Sequence, residues 1–482
     1  MIHSPKKKSP ATTAADHGKG TSRSQTLVGQ LSGDVIRQIH DGVLSLGSRL
    51  PSVRRYAKEC GVSNETVLRV YDKLVAQGYL EARRGAGFFV VSKHPRPEEL
   101  RSSIPGISEL HQIRQRLLFG NGSYANLGGG SLPEEWLEKE DVGLALRQIS
   151  SFPLDGYAAP HGYEPLRLQL RQKLLEQGIQ AQLPQIITTS GATDALHLAI
   201  WANFYPRDFM LAEEPGPFMQ IERMMASGLE IVRVPRQADG PDLNALQAAC
   251  EKYRPRAFFC SSVLQSPCST SISPYKAHQI LKIAEAFDML IIDDDTYGDL
   301  LPPGSTGNVA RLAALDKLER VIHIGSFSKT VAPGLRSGFL AASPAQIERI
   351  LMYRTAGAIH GPMLTDLFMY HFLAQGGYQK HCEILRSRLD QLRDDVREKL
   401  MAIGCQVSPS SAGMYLWASL GEGVDAKSVA LQLASCGILT APGITFSSDP
   451  KYVSHMRFNI ARVAMQEDAM KTLEKLLCSL EH

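Results

Sequence analysis

At 482 residues the chain exceeds what one ordinary core fills, so more than one domain is expected. Hydrophobic residues at 44% and charged residues at 21% exclude a disordered or fibrous chain. The net charge of +3 is unevenly spread: residues 1–92 hold 14 Lys/Arg against 7 Asp/Glu and the remainder 38 against 42, the balance of a polyanion-binding module ahead of an acidic body.

Residues 1–25 are rich in Lys, Ser, Thr and Ala without periodicity and read as a disordered tail. They contain no apolar h-region, and no run of about 18 apolar residues occurs later, so neither secretion nor membrane spanning is expected. The eight cysteines form no CxxC pair, which fits reduced thiols in a cytoplasm and gives no metal site.

Residues 26–92 carry a compact helical pattern followed by a β-like run. Val35, Ile36 and Ile39 make one apolar face. Ser52 is placed to cap a second helix with Tyr56, Ala57 and Cys60 inward, and Gly61 supplies a tight turn. Ser63 then caps a third, in which Val67, Val70, Tyr71, Leu74 and Val75 keep helical spacing. Two short helices joined by a glycine turn make a helix-turn-helix, whose second helix offers its first turn to base edges. That turn holds Ser63, Asn64, Glu65 and Thr66; Asn suits adenine and Glu accepts from cytosine. Arg83, Arg84 and Gly85 fall at the tip of the following hairpin, where a wing meets phosphates or the minor groove.

The stretch LGSRLPSVRRYAKECGVSNETVLRVYDKLVAQGYLEARRGAGFFV resembles the GntR-type winged helix. The resemblance implies binding to a double-stranded DNA operator, puts Arg54 at a phosphate- or base-contacting position, and puts Gly85 in the wing tip. Asn64 stands where that family commonly has Arg.

Residues 93–122, with Pro95, Pro97 and Pro105, read as a linker that includes a short helix near 107–118. From 123 to 482, helical segments alternate with apolar runs such as 185–189, 257–260, 289–292 and 321–324, which implies a mainly parallel sheet with helices on both faces.

This body supplies, in one order along the chain, what pyridoxal phosphate (PLP) needs from a protein. Lys329 in Ser326-Phe327-Ser328-Lys329-Thr330 is the Schiff-base candidate, and Arg336 adds a fixed charge for the phosphate. Gly191 and Ala192 open a helix after an apolar strand, a phosphate cradle. Asp294 is the carboxylate for the pyridine nitrogen and Tyr297 the hydroxyl for the ring oxygen. For Asp293-Asp294-Asp295, a metal site is the runner-up reading.

The region resembles fold type I aminotransferases through Tyr157–Gly162 with Leu166-Arg167, SGATDAL, DDDTYGDL, SFSKTVAPGLRSGFL, GMYLW and MRFNIA. The resemblance implies an α/β transferase fold with a small C-terminal α/β subdomain. It puts the Schiff base on Lys329, phosphate contacts on Gly191, Ala192, Ser326, Ser328 and Arg336, and a ligand carboxylate on Arg457. It puts Tyr157 on the phosphate of a partner subunit's cofactor, hence a homodimer. Two positions depart from it. Ser266 stands where the family's Asn bonds the ring oxygen, and Phe218, one residue out of register, is the stand-in for the aromatic stacked on the ring. Both point to cofactor binding kept and catalysis relaxed. The combined architecture resembles the MocR subfamily of GntR-type regulators, which implies a transcription regulator sensing an amine, an amino acid or PLP. The second reading is a working aminotransferase with an appended DNA-binding domain.

Overall fold

The computed structural model describes residues 27–40, 44, 47–76, 79–83, 86–91, 109–119, 124–137, 140–149, 157–304 and 309–480. The chain divides into two compact units, Met1–Ile107 and Ser108–His482.

In the first unit, helices Leu27–His40, Val53–Cys60 and Asn64–Ala76 precede an antiparallel hairpin of Leu80–Arg83 and Gly87–Val90. The local signals act as expected. Ser52 Oγ accepts from Arg55 N–H, Gly61 takes the left-handed conformation (φ 67°) that ends the helix, and Ser63 Oγ accepts from Thr66 N–H at 3.1 Å. Val67, Val70, Tyr71 and Leu74 are fully buried against Val35, Leu50 and Ala57, and the Tyr71 hydroxyl donates to Pro51 O at 3.0 Å. Nine largely apolar buried side chains thus fix three helices and a wing in one small core. Arg84 and Gly85, and the tail at 1–25, lie outside the described residues.

The second unit is built on an eight-stranded sheet in the order Ile186–Thr189, Gly338–Ala341, Val321–Ser326, Leu290–Asp294, Ala257–Cys260, Phe209–Glu214, Glu230–Gln237, Gly240–Pro241. The five inner strands from 321–326 to 230–237 run parallel, and Gly338–Ala341 is antiparallel to both neighbours. Register decides the rest: Ile324 faces Asp294, Ser326 faces Gly338, and Gly338 faces Thr189. The carboxyl ends of three strands therefore meet along one edge, where ligands bind in such sheets. Apolar clusters fill both faces, which accounts for the continuous hydrophobic runs in the sequence.

A smaller antiparallel sheet, Gln406–Val407, Tyr415–Ser419, His455–Asn459 and Ala441–Pro442, carries helices Ala426–Ser435 and Glu467–Cys478 and is reached through the long helix Gly377–Ala402. The stretch expected as a linker contains a helix, Glu109–Phe119, whose Ile113 and Leu117 are buried in the core of this subdomain. Its apolar residues belong to the body because they fall on one face and find a partner there. Among the described residues, no helix is long and apolar enough to cross a membrane.

Candidate functional site

Lys329 leaves the end of strand Val321–Ser326 and is half-buried, and desolvation pushes its amine below the usual lysine range, with the Tyr415 phenol and Asp294 opposing. Its Nζ donates to Gly130 O at 2.6 Å and lies 5.5 Å from the centre of the Tyr297 ring. A lysine whose neutral form is favoured is the nucleophile that imine chemistry requires.

Asp294 is 5% exposed at the end of the neighbouring strand. Burial raises its carboxyl, but Thr296 opposes this with N–H and hydroxyl donated to Oδ1, and Gln220 donates to Oδ2 at 3.4 Å. The other two aspartates are engaged elsewhere. Asp293 accepts from Ser262 N–H and Oγ–H (2.8 and 2.7 Å), and Asp295 pairs with Arg311 at 2.9 Å. Among the described residues, no group of three His, Cys, Asp or Glu is placed to hold a metal ion.

The phosphate cradle forms where the sheet register brings three segments together. Gly191 (φ 87°) precedes helix Ala192–Asn203; a Cβ on it would lie 2.9 Å from Arg336 Nη2 and strain the backbone. Arg336 is held only by carbonyls, donating to Ser190 O at 3.1 Å and Pro333 O at 3.4 Å, and makes no ion pair among the described residues. Ser326 Oγ accepts from Ser328 N–H at 3.2 Å. A helix N-terminus beside an uncommitted guanidinium is an anion site.

Arg457, on strand His455–Asn459, is 5% exposed. It donates to Ser266 Oγ at 3.1 Å and Gly128 O at 2.7 Å, and its guanidinium stands 4.2 Å from the Tyr415 ring centre and 4.7 Å from that of Phe446. It makes no ion pair among the described residues, and its buried Nε–H has no acceptor. Ser266 is bound to Arg457, and Phe218 packs edge-on to Phe446 at 5.9 Å beneath Arg114. Tyr157 is 78% exposed, its ring 6.0 Å from His360.

Several site residues carry no motif. The carbonyls of Gly128, Gly129, Gly130 and Ser131 accept from Arg457, Asn459, Lys329 and Arg462 respectively. Only the three consecutive glycines signal this loop in the sequence. In the first unit, Asn64, Glu65 and Arg54 are exposed, but Glu65 pairs with Arg69 at 2.7 Å, a cation that the sequence reading left out.

A half-buried amine, a fixed carboxylate, a phenol, an anion cradle and a buried guanidinium with an orphaned N–H are the donor set that fits PLP and a carboxylate-bearing ligand. Residues 114–473 match the family described as aminotransferase class I and II, and residues 27–90 match the bacterial regulatory proteins of the gntR family. Among similar proteins, the uncharacterized HTH-type transcriptional regulator YdcR of Escherichia coli K12 is 27% identical over 93% of this chain and 98% of its own. The "Probable rhizopine catabolism regulatory protein MocR" of Rhizobium meliloti is 27% identical over 79% of this chain and 78% of its own. The kynurenine aminotransferase of Pyrococcus horikoshii, solved with PMP, shares the fold with a TM-score of 0.70 at 22% identity, covering 80% of this chain and 96% of that one. The chain belongs to the aminotransferase class I and II family, whose cofactor is pyridoxal phosphate, and carries a gntR-family helix-turn-helix domain ahead of it, as the relatives named as MocR and HTH-type regulators do.

Proposed function

We propose that this protein is a cytoplasmic transcription regulator in which the body senses an amine, an amino acid or PLP at Lys329. In this reading two winged helices of a homodimer hold a DNA operator. Lys329 carries the cofactor, Asp294 and Tyr297 hold its ring, and Gly191, Ala192, Ser326, Ser328 and Arg336 hold its phosphate. Tyr157, exposed here, serves the partner's site. Bound PLP supplies the electrophile that captures a primary amine. The observation that carries the reading is Arg457: a buried guanidinium without a carboxylate partner among the described residues matches a ligand that brings its own.

A ligand that binds two arrangements of the dimer unequally shifts DNA affinity by that inequality; a hundredfold change needs about 2.7 kcal/mol. A working aminotransferase is the second reading, favoured by the intact Lys329, Asp294 and Tyr297 set. Titrating the visible absorption band with a panel of amines and amino acids, beside operator binding, separates the two, with Arg457→Ala as control. An amine that changes the spectrum is expected to change operator affinity in the wild type and to act weakly on Arg457→Ala. Unchanged operator binding together with catalytic accumulation of keto acid would establish the enzyme reading instead.

A further inference from the structure

The turn expected to offer an amide to the cofactor's ring oxygen carries the shorter Ser266, whose Oγ accepts from Arg457 at 3.1 Å. A different group stands at this end of the site. Tyr415, on strand Tyr415–Ser419, places its hydroxyl 3.1 Å from the hydroxyl of Tyr297, with the rings edge to face at 5.5 Å. It is 1% exposed yet is not mere core: a Cβ built on Gly130 would lie 3.6 Å from both the Tyr415 hydroxyl and Lys329 Nζ. The phenol therefore borders the space beside the reactive amine.

Burial acts to raise the Tyr415 phenol, but the Arg457 guanidinium opposes it and the phenol lies below the ordinary range, whereas burial pushes Tyr297 well above it. Either hydroxyl can donate in this pair, so when Tyr297 turns its proton to the ring oxygen, the Tyr415 hydroxyl is the donor that bonds the Tyr297 oxygen. Chained hydroxyl donors strengthen one another.

We propose that Tyr415 is a positioning residue that fixes the Tyr297 hydroxyl on the ring oxygen of PLP. The proposal rests on the assignment of PLP to Lys329. The ring oxygen and the Lys329 nitrogen compete for one proton. A ring oxygen that is well supplied with a donor holds that proton loosely, and one that loses a donor holds it tightly.

The test is the pH midpoint of the visible cofactor band in the full-length chain carrying Tyr415→Phe, which keeps the ring and removes only the hydroxyl. The midpoint is expected to rise by about half to one pH unit with the cofactor retained. Adding Ser266→Asn, which restores an amide at the turn, is expected to bring it back. An unchanged midpoint reduces Tyr415 to packing, and a lowered one means that its hydroxyl acts directly on the Lys329 nitrogen; either overturns the proposal while leaving the cofactor assignment standing. A wild-type chain loaded with PLP that shows no such band, or a band that survives Lys329→Ala, overturns both.

Discussion

Arg114 donates from Nη2 to the carbonyl of Thr445 at 3.1 Å, across 331 residues of chain. Its guanidinium also lies 5.3 Å from the centre of the Phe218 ring and pairs with Glu222. The contact ties helix Glu109–Phe119 to the residue next to Phe446, which itself faces Arg457. Arg114→Ala leaves Glu222 and the Thr445 carbonyl without this donor, a loss of about 1–3 kcal/mol at a partly buried position. Faster amide hydrogen exchange confined to Glu109–Phe119 is the expected readout. Exchange there at the wild-type rate would show that Ile113 and Leu117 alone hold the helix.

Substitutions at Arg54 and Asn64 test positioning and reading of DNA separately. Arg54→Ala is expected to weaken binding to every sequence and to reduce the slope of log affinity against log salt by about one. Asn64→Ala is expected to relax preference at one base position, a discrimination of about 1–3 kcal/mol. Equal weakening on all operators would make Asn64 a backbone contact. Glu65 is held by Arg69 and is free to accept from a base only when that exposed pair opens; Arg69→Ala is therefore expected to sharpen rather than blur the preference at the Glu65 position.

The cradle offers two independent tests. Arg336→Ala removes a charge-assisted contact worth roughly 1.5–3 kcal/mol, so PLP affinity is expected to fall about ten- to a hundredfold. Gly191→Ala is expected to do similar damage by another route, since its Cβ meets Arg336 Nη2 at 2.9 Å and its φ of 87° suits glycine. Retention of PLP at wild-type affinity by both variants would place the phosphate elsewhere.

Two buried groups beneath the sheet edge give opposite pH slopes. Burial, helped by Asp295, pushes the Asp293 carboxyl up to about 7 from 3.8. Its contribution to stability is thus complete below pH 3.8 and is lost as pH rises to about 7. Burial pushes His323 down from 6.5 to about 4, so its contribution is present above pH 6.5 and is lost as pH falls through about 4. Asp293→Asn removes the first term only. The stability of the variant relative to wild type is expected to climb with pH between about 4 and 7, approaching ~1.4 kcal/mol per pH unit. Denaturant midpoints that differ by a constant across this range would show that Asp293 stays ionised in the folded chain.

What was legible in the sequence follows a physical rule. Lys329, Asp294 and Gly191 lie within three residues of a strand end, so strand register alone brings them together and contiguous motifs betray them. Ser52, Ser63 and Gly61 act on neighbours within three or four residues, and their roles as caps are equally local. Asn459, Arg462 and Arg114 were missed because each binds a backbone carbonyl more than 300 residues away, a partner that any sequence supplies. Ser266 and Phe218 are assigned to the ring by their position in a motif, and their contacts with Arg457 and Phe446 come only from the fold. Tyr415 sat within a recognised motif, but only the pairing of two sheets shows its hydroxyl meeting that of Tyr297.

The loop Gly128–Ser131 gives its four carbonyls to Arg457, Asn459, Lys329 and Arg462. It follows helix Glu109–Phe119 in the chain, far from every other segment of the site in sequence. This sets where the protein can be dissected. A fragment starting at Ser108 keeps every acceptor these four side chains use, together with Arg114. One starting after Ser131 strands the buried Arg457, the half-buried Arg462 and the reactive amine without them, although all the recognisable aminotransferase motifs remain downstream. The outer limit of the ligand-binding body is therefore marked by a run of glycines and a helix inside the apparent linker, not by the first motif that a reader would choose.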